Sequence, residues 1–357
     1  MLKFFSDLFR FRSIFINAFY SSLYGTRLFF GVHLRSAQNI LIFAQADIEK
    51  GSRIFASFPS DRNQKNIVIE DHCWIGHDVE IQTLYDSKIE IKEYASVQDR
   101  CKIIGSVSIG KYSILAPDIF ISSGNHNYKS APHLTIREQD KKHAGSAAAF
   151  NKVSKPVVIE EDCWIGKNVF IRQGIYVGRG AIIGTNAIVF KDIEPYTIHA
   201  GSPTEKIKDR FVFDPPTEIS AFVEEQLPYF YRGFEHYSPQ KSTVELLREN
   251  QGIASENKAL AILKNEDWSQ IEIHGMSRIN GALSIFVNGQ LHKTHKIAIG
   301  EAFHIGLHRA EIENTQAIAE YLSLPDFLKK HLCISFELIN DNMHQKYHFT
   351  ISKIKAS

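Results

Sequence analysis

What this sequence has little of narrows the reading first. Four cysteines (Cys73, Cys101, Cys163 and Cys333) stand in 357 residues, too few for a disulfide scaffold of this length. Three of them recur at one position of the repeat described below, as small buried apolar residues would, and a reducing, cytoplasmic setting fits that usage. Net charge is close to absent, +1 from 41 Lys+Arg and 40 Asp+Glu, so no global field points to nucleic acid as a partner. No run reaches the ~20 apolar residues of a membrane span, and no small-residue cleavage pattern marks a secretory leader. There is no G-x-S-x-G sequence either, which leaves any catalysis without a recognisable nucleophile motif.

What is present is a period. From Ile159 to Glu194 the chain divides into six hexads opened by Ile159, Ile165, Ile171, Val177, Ile183 and Val189, with Gly after the opening aliphatic in three of them. A period of six is neither the ~3.6 of a helix nor the ~2 of a strand. It marks a stacked β-helix in which each hexad is a short strand and a corner. The same phase runs through Ile42, Ile48 and Ile54, resumes at Ile69, Ile75 and Ile81, and continues from Ile91 through Val97, Ile103, Ile109 and Leu115 to Ile121. With three hexads closing each turn, the regular blocks make six coils. Such a stack needs only nearest-neighbour contacts along its length, and its open ends need caps.

The fold expected is therefore mainly β, organised in four parts. Residues 1–35 are an N-terminal helical segment, in which Phe4, Phe5, Leu8, Phe9, Phe15 and Phe19 recur at roughly helical spacing between Lys3, Arg10 and Arg12. Two readings of that helix stand: a packing element at the β-helix end or an oligomer contact, and an interfacial helix in peripheral contact with the inner face of a membrane. Residues 36–214 are the β-helix. Residues 215–265 read as a helical linker, with helices near 218–227 and 242–264, and residues 266–357 as a small antiparallel, sandwich-like β domain. In that last part Asn288-Gly289 reads as a two-residue hairpin turn. It also holds eight of the sixteen histidines, at scattered spacings without a ligand pattern, so they read as solvated strand-face residues and no metal is expected.

The β-helix phase is lost between Ser122 and Pro156. A structureless excursion of this length inside a regular repeat is usually functional or disordered. It carries Gly124-Asn125-His126, His133, Arg137 and His143. His126 stands at the lip of the last regular hexad, where a rigid coil fixes its backbone, and imidazole, with a reference pKa of ~6.5, suits a general base at neutral pH.

The hexads, Cys163-Trp164-Ile165-Gly166, Gly124-Asn125-His126 before an excursion, and Lys191-Asp192-Ile193-Glu194-Pro195 leading to Ala200-Gly201-Ser202-Pro203 together resemble the hexapeptide-repeat acyltransferases. Within them the likeness is to the O-acetyltransferases of sugars and bacterial surface polysaccharides, over about residues 40–210. The resemblance implies a left-handed parallel β-helix, a homotrimer with active sites between subunits, acetyl-CoA as co-substrate, a glycan or sugar acceptor, and His126 as general base. It also implies a cofactor path along Trp164, Lys167, Gly184, Thr185 and Lys191. The tail departs from the family pattern at Glu205, which shifts the expected phosphate contacts to Lys206 and Lys208. Trp164 has a twin in Trp74, within His72-Cys73-Trp74-Ile75-Gly76, so corner packing is its alternative role.

Asn125, Tyr128 and Arg137 are the candidate acceptor contacts. The carboxylate that would orient His126 stays open, Asp118 and Glu138 being the nearest in sequence, as does the oxyanion donor. With no nucleophile motif, direct transfer is favoured over an acyl-enzyme. N-acylation of an amino sugar, and a non-catalytic glycan-binding scaffold, remain alternatives; the sugar and the hydroxyl are not legible.

Overall fold

The computed structural model describes residues 26–29, 31–43, 45–57, 65–143, 154–235, 252–254, 258–277, 279–309, 318–339 and 349–357. The helix expected over residues 1–24 and the linker stretch 242–251 lie outside the described residues. The chain divides into two compact units, Met1–Val212 and Phe213–Ser357.

The first unit is a left-handed parallel β-helix. Its first face stacks eight parallel strands from Arg27–Leu28 to Thr197–Ala200, its second seven from His33–Arg35 to Ile188–Val189, and its third six from Ile40–Ile42 to Tyr176–Val177. These make six complete coils, a seventh whose third side is reduced to a bridge between Val177 and Ile193, and the first strand of an eighth.

Registered stacking explains the period. On the first face Ile48, Ile75, Val97, Leu115, Ile165 and Ile183 lie one above another in register, all buried. Each such side chain contributes about 1.5–3 kcal/mol by leaving water. The column ends on His199, opposite Ile183 and buried. Burial holds this imidazole below its ordinary range, so it closes the apolar stack in the neutral form. The final strand, Glu205–Asp209, turns back antiparallel on Thr197–Ala200 and carries Lys206 and Lys208 on an exposed edge.

The β-helix starts earlier than residue 36. Arg27–Leu28 and His33–Arg35, expected to be helical, are strands of the first coil and pair with Asp47–Ile48 and Arg53–Phe55. Leu28 and Leu34 keep the six-residue spacing, but with the 3₁₀ turn at Ala37–Asn39 the next residue of the column register, Ile42, comes eight places after Leu34, which breaks the phase.

The second unit is two antiparallel sheets. One is ordered Phe234–Glu235, Gly252–Ala254, Phe349–Ala356, Gln270–Ser277, Ala302–His308, with Glu218–Ser220 also on Phe349–Ala356; the other is Lys258–Leu263, Leu332–Ile339, Gly281–Val287, Gln290–Ile297. Phe336 of the second sheet meets Phe234 and Phe349 of the first at ring separations of 6.2 and 6.0 Å, as in a sandwich core. The hairpin at Asn288-Gly289 has φ of 48° and 79°, the double left-handed turn that matches strand twist.

The described part of the linker corrects the helical reading. Glu218–Ser220 is a strand, Glu224–Tyr229 a 3₁₀ helix, and Lys258–Leu263 a strand paired along its length with Leu332–Ile339. KALAIL is apolar on both sides of the chain because both sides are buried. A short run of that kind has no period to separate strand from helix.

Candidate active site

The excursion leaves the β-helix after Phe120–Ser122 on the second face and returns at Val157–Ile159 on the third. Its base is tied shut. Ser123 and Ser154 meet hydroxyl to hydroxyl at 3.1 Å, the Ser154 hydroxyl donates to the Ser123 carbonyl at 2.9 Å, and Lys155 N–H donates to the same carbonyl at 3.1 Å. Ser123 is fully buried and its hydroxyl also accepts from Ser106 N–H. The chain three residues later is thus launched from a fixed point.

Residues 122–156 are not structureless. Ile136–His143 is an α-helix started by a reciprocal cap: Glu138 N–H donates to the Thr135 hydroxyl, while the Glu138 carboxylate accepts from Thr135 N–H and hydroxyl at 2.9 and 2.7 Å. Buried Gln139 then pins the approach by accepting from Ala131 N–H and donating to the Leu134 carbonyl. The next residue, Asp140, meets the motif. One carboxylate oxygen lies 2.6 Å from His126 Nδ1 and the other accepts from Asn127 N–H at 2.9 Å. A carboxylate only accepts, so Nδ1 carries the hydrogen, and the neutral ring has its lone pair on Nε2. The His126 side chain is 77% exposed and can meet an incoming molecule.

Asp140 is the carboxylate bonded to His126; the two carboxylates nearest in sequence, Asp118 and Glu138, are engaged elsewhere. Arg100 binds Asp118 through two nitrogens at 2.7 and 3.0 Å, with Lys167 at 3.6 Å. These contacts, the Arg100 hydrogen bonds foremost, hold the Asp118 carboxyl below the usual range. Glu138 is likewise held low by its bonds to Thr135. Thr135-x-x-Glu138 was the available sequence signal for the helix; nothing periodic told which of its residues faces back.

The remaining candidates fall at separate places. Asn125 and Tyr128 flank His126 on the exposed loop, with Asn125 Oδ1 accepting from His126 N–H at 2.9 Å. Arg137 is exposed on the first turn of the helix, one turn before Asp140. His133 is exposed on the approach to that helix.

Trp164 does not pack a corner. It stands outward on the first face, in register with Ile114 and Ile182, and is 54% exposed. Lys167, Gly184 and Thr185 occupy the corner between first and second faces over two consecutive coils, joined where Asn186 N–H donates to the Lys167 carbonyl. Lys191 lies instead at the corner between second and third faces, beneath the excursion. There it lines a cavity of about 390 Å³ with Lys155, Arg172, Gln173, Phe190 and Asp192. Asp192 Oδ1 accepts from Tyr176 N–H, and the three cations give the cavity a positive balance suited to an anion. Lys155 and Arg172 were not singled out from the sequence, since their meeting depends on which corner each hexad turns. At the end of the stack Lys206 is paired with Asp209 at 2.7 Å and Glu194 at 3.3 Å, which leaves Lys208 as the more available of the two expected tail cations.

No cysteine offers a nucleophile. All four are buried and free; burial pushes the Cys101 thiol up to about 11, Cys73 and Cys333 to about 12, and Cys163 higher still.

Residues 156–191 match the sequence family described as bacterial transferase hexapeptide (six repeats). The chain carries the hexapeptide repeat of such transferases. Among similar proteins, a colanic acid biosynthesis acetyltransferase, WcaF, of Escherichia coli (strain K12) is 26% identical over 148 residues, 41% of this chain and 68% of the relative. Chloramphenicol acetyltransferase of Klebsiella aerogenes is 38% identical over 126 residues; this chain spans 58% of its length and the match takes 34% of this chain. Among solved structures, a hexapeptide-repeat acetyltransferase of Vibrio cholerae complexed with acetyl coenzyme A aligns at 21% identity and a TM-score of 0.31, over 38% of this chain and 67% of that one.

The geometry makes Asp140 testable as a positioning residue. In Asp140→Asn an amide must present its NH₂ either to His126 Nδ1, fixing the wrong tautomer, or to Asn127 N–H, donor against donor. A hydrogen bond to a charged group contributes about 1.5–3 kcal/mol, which at ~1.4 kcal/mol per decade is a loss of roughly 10- to 100-fold in kcat. KM for the acyl donor should stay within about twofold, because Asp140 does not line the cationic cavity. An unchanged kcat removes the dyad.

Proposed function

We propose that this protein is an acetyl-CoA-dependent O-acetyltransferase acting on a sugar hydroxyl of a bacterial surface polysaccharide. The observation that carries the reading is the His126–Asp140 pair, 2.6 Å apart, at the long break in the repeat. With Nδ1–H held by the carboxylate, Nε2 takes the proton of the acceptor hydroxyl as that oxygen bonds to the thioester carbonyl carbon. The tetrahedral adduct collapses by breaking the C–S bond, and the imidazolium returns the proton to the departing sulfur. The products are an acetyl ester and the free thiol of coenzyme A. No acyl-enzyme is required, in keeping with four buried thiols.

The cofactor carries phosphates, and the cavity beneath the excursion offers Lys155, Arg172 and Lys191 to them. Trp164, outward on the first face, with Lys167, Gly184 and Thr185 at the other corner, would form a second wall. A homotrimer reconciles the two: one subunit's Trp164–Thr185 wall would face the loop carrying His126 on its neighbour, which accounts for the exposure of His126 in the single chain. The polysaccharide class is supported by the name of the Escherichia coli relative. The reading includes action in the cytoplasm, at the membrane face if residues 1–24 bind lipid.

The test is release of free thiol from acetyl-CoA with a panel of hydroxyl sugars, amino sugars and oligosaccharides, with the product sites read by NMR. Ester formation on a sugar oxygen is expected. Amide formation alone would replace this reading with N-acylation, and a wild-type protein that neither binds nor turns over acetyl-CoA would leave only the scaffold.

A further inference from the structure

The second unit holds a cluster of ligand-type side chains separate from the residues of the candidate active site. Gln270–Ser277 lies between Ala302–His308 and Phe349–Ala356 in its sheet. The strand alternates, with Ile271 and Ile273 buried while Glu272 and His274 turn outward. Ala302–His308 does the same, burying Phe303, Ile305 and Leu307 and exposing His304. The antiparallel register sets His274 directly opposite His304 and Glu272 opposite Gly306. The two imidazoles stack at 4.2 Å with their planes 16° apart.

Glycine opposite Glu272 clears the space beside this pair. A Cβ at Gly306 would meet only the end of the Gln270 side chain, at 3.4 Å, so no cross-strand side chain separates the Glu272 carboxylate from the imidazoles. The ligand atoms of Glu272, His274 and His304 all lie within 4.8 Å of one another.

Two donors at i and i+2 of one strand and a third from its neighbour form a triangle over one sheet face. Metal–ligand bonds of ~2.0–2.1 Å in a tetrahedral site put donor atoms roughly 3.3–3.4 Å apart. All three side chains point outward from the sheet, so rotation about their own χ angles is open to them for closing that gap. Two imidazoles and one carboxylate form a donor set for zinc and its first-row neighbours rather than for magnesium or calcium. Lys353, the cation across from His274 on the third strand, is drawn to Glu218 at 2.8 Å.

We propose that Glu272, His274 and His304 bind a Zn²⁺-class transition-metal ion with three protein ligands, leaving the remaining position to water. The scattered spacing of the histidines concealed the site because its third ligand comes from another strand, 30 residues away from His274 in the chain. The proposal does not rest on the acyltransfer reading.

The test uses the untagged full-length chain titrated with ZnCl₂ by calorimetry, beside His274→Asn, His304→Ala and Glu272→Gln. Loss of an outer partner of a metal site costs roughly 10- to 100-fold in affinity, so removal of a ligand is expected to weaken binding by at least about tenfold. All three positions point outward, and melting without zinc is expected to match wild type. Gly306→Lys provides a variant that removes no ligand: it brings an ammonium over the site and should also abolish tight binding. In the cobalt-loaded wild type, visible ligand-field bands should appear and be lost in His304→Ala. Absence of zinc binding by the wild type at 100-fold molar excess, or affinity unchanged in the histidine variants and Gly306→Lys, would overturn the site.

Discussion

Replacing His126 by alanine is expected to lower acetyl transfer by roughly 10²–10⁴-fold, the usual contribution of a positioned general base, while acetyl-CoA remains bound. The expectation follows from where the imidazole is held. Its backbone is anchored three residues upstream by the contact between buried Ser123 and Ser154, and its ring is fixed by Asp140. The face it offers is exposed and carries the Nε2 lone pair. Alanine removes the proton acceptor but touches neither anchor, nor Lys155, Arg172 and Lys191 in the cavity. Steady-state kinetics should therefore show a fall in kcat, with KM for acetyl-CoA changed little. His133→Ala, on the same excursion but without a hydrogen bond to a described carboxylate, is the comparison, expected within about threefold of wild type. Full activity in His126→Ala would remove the general-base mechanism. Equal losses in the two variants would mean that the loop, not the base, had been damaged.

The period was legible in the sequence because each inward residue meets its own equivalent one coil away. Ile103, Ile121 and Ile171 announce themselves by spacing, since every one fills the same slot. The first coil was not legible. Its strands carry Arg27, His33 and Arg35 on their outer face, and the turn at Ala37–Asn39 stretches the step from Leu34 to Ile42 to eight residues. The strands of the second unit that read as helices depend on partners far along the chain: Ile219 finds Ile354, and Leu260 finds Ser335. No local window contains such a partner, and helix propensity over EISAFVEEQL yields to a strand at Glu218–Ser220 before the 3₁₀ helix from Glu224.

The site divides the same way. His126 was visible because it interrupts a rule, whereas Asp140 required knowing that a capped helix folds back on the motif. The cationic cavity required knowing that Lys155, Arg172 and Lys191 turn the same corner. Long-range return and corner register are properties of the closed coil, and the one-dimensional pattern reports only that closure occurs.

Gly166→Ala should be the substitution that shows how tightly that closure is made. Gly166 follows the opening aliphatic Ile165, and it has no left-handed φ. Its requirement is space. A Cβ there would sit 2.6 Å from Thr185 N, 2.8 Å from Gly184 C and 2.8 Å from Ile183 O, all backbone of the next coil. That backbone cannot step aside, because Gly166 N–H donates to the Ile183 carbonyl at 2.7 Å and Asn186 N–H to the Lys167 carbonyl at 2.8 Å. Coils stacked on both sides transmit the strain instead of absorbing it. Overpacking of this kind costs about 1–3 kcal/mol, which for a unit of this size lowers Tm by roughly 2–4 °C per kcal/mol. Displacement of Gly184 and Thr185 should at the same time raise KM for acetyl-CoA if the proposed wall is the cofactor's. Gly306→Ala is the control. Its backbone is ordinary, and its new methyl group would meet only the flexible end of Gln270, so its melting should stay within about 0.5 kcal/mol of wild type. Differential scanning calorimetry distinguishes the two. If Gly166→Ala melts with wild type, the coils are looser than these contacts require, and the glycine after each aliphatic must be explained by something other than the backbone above it.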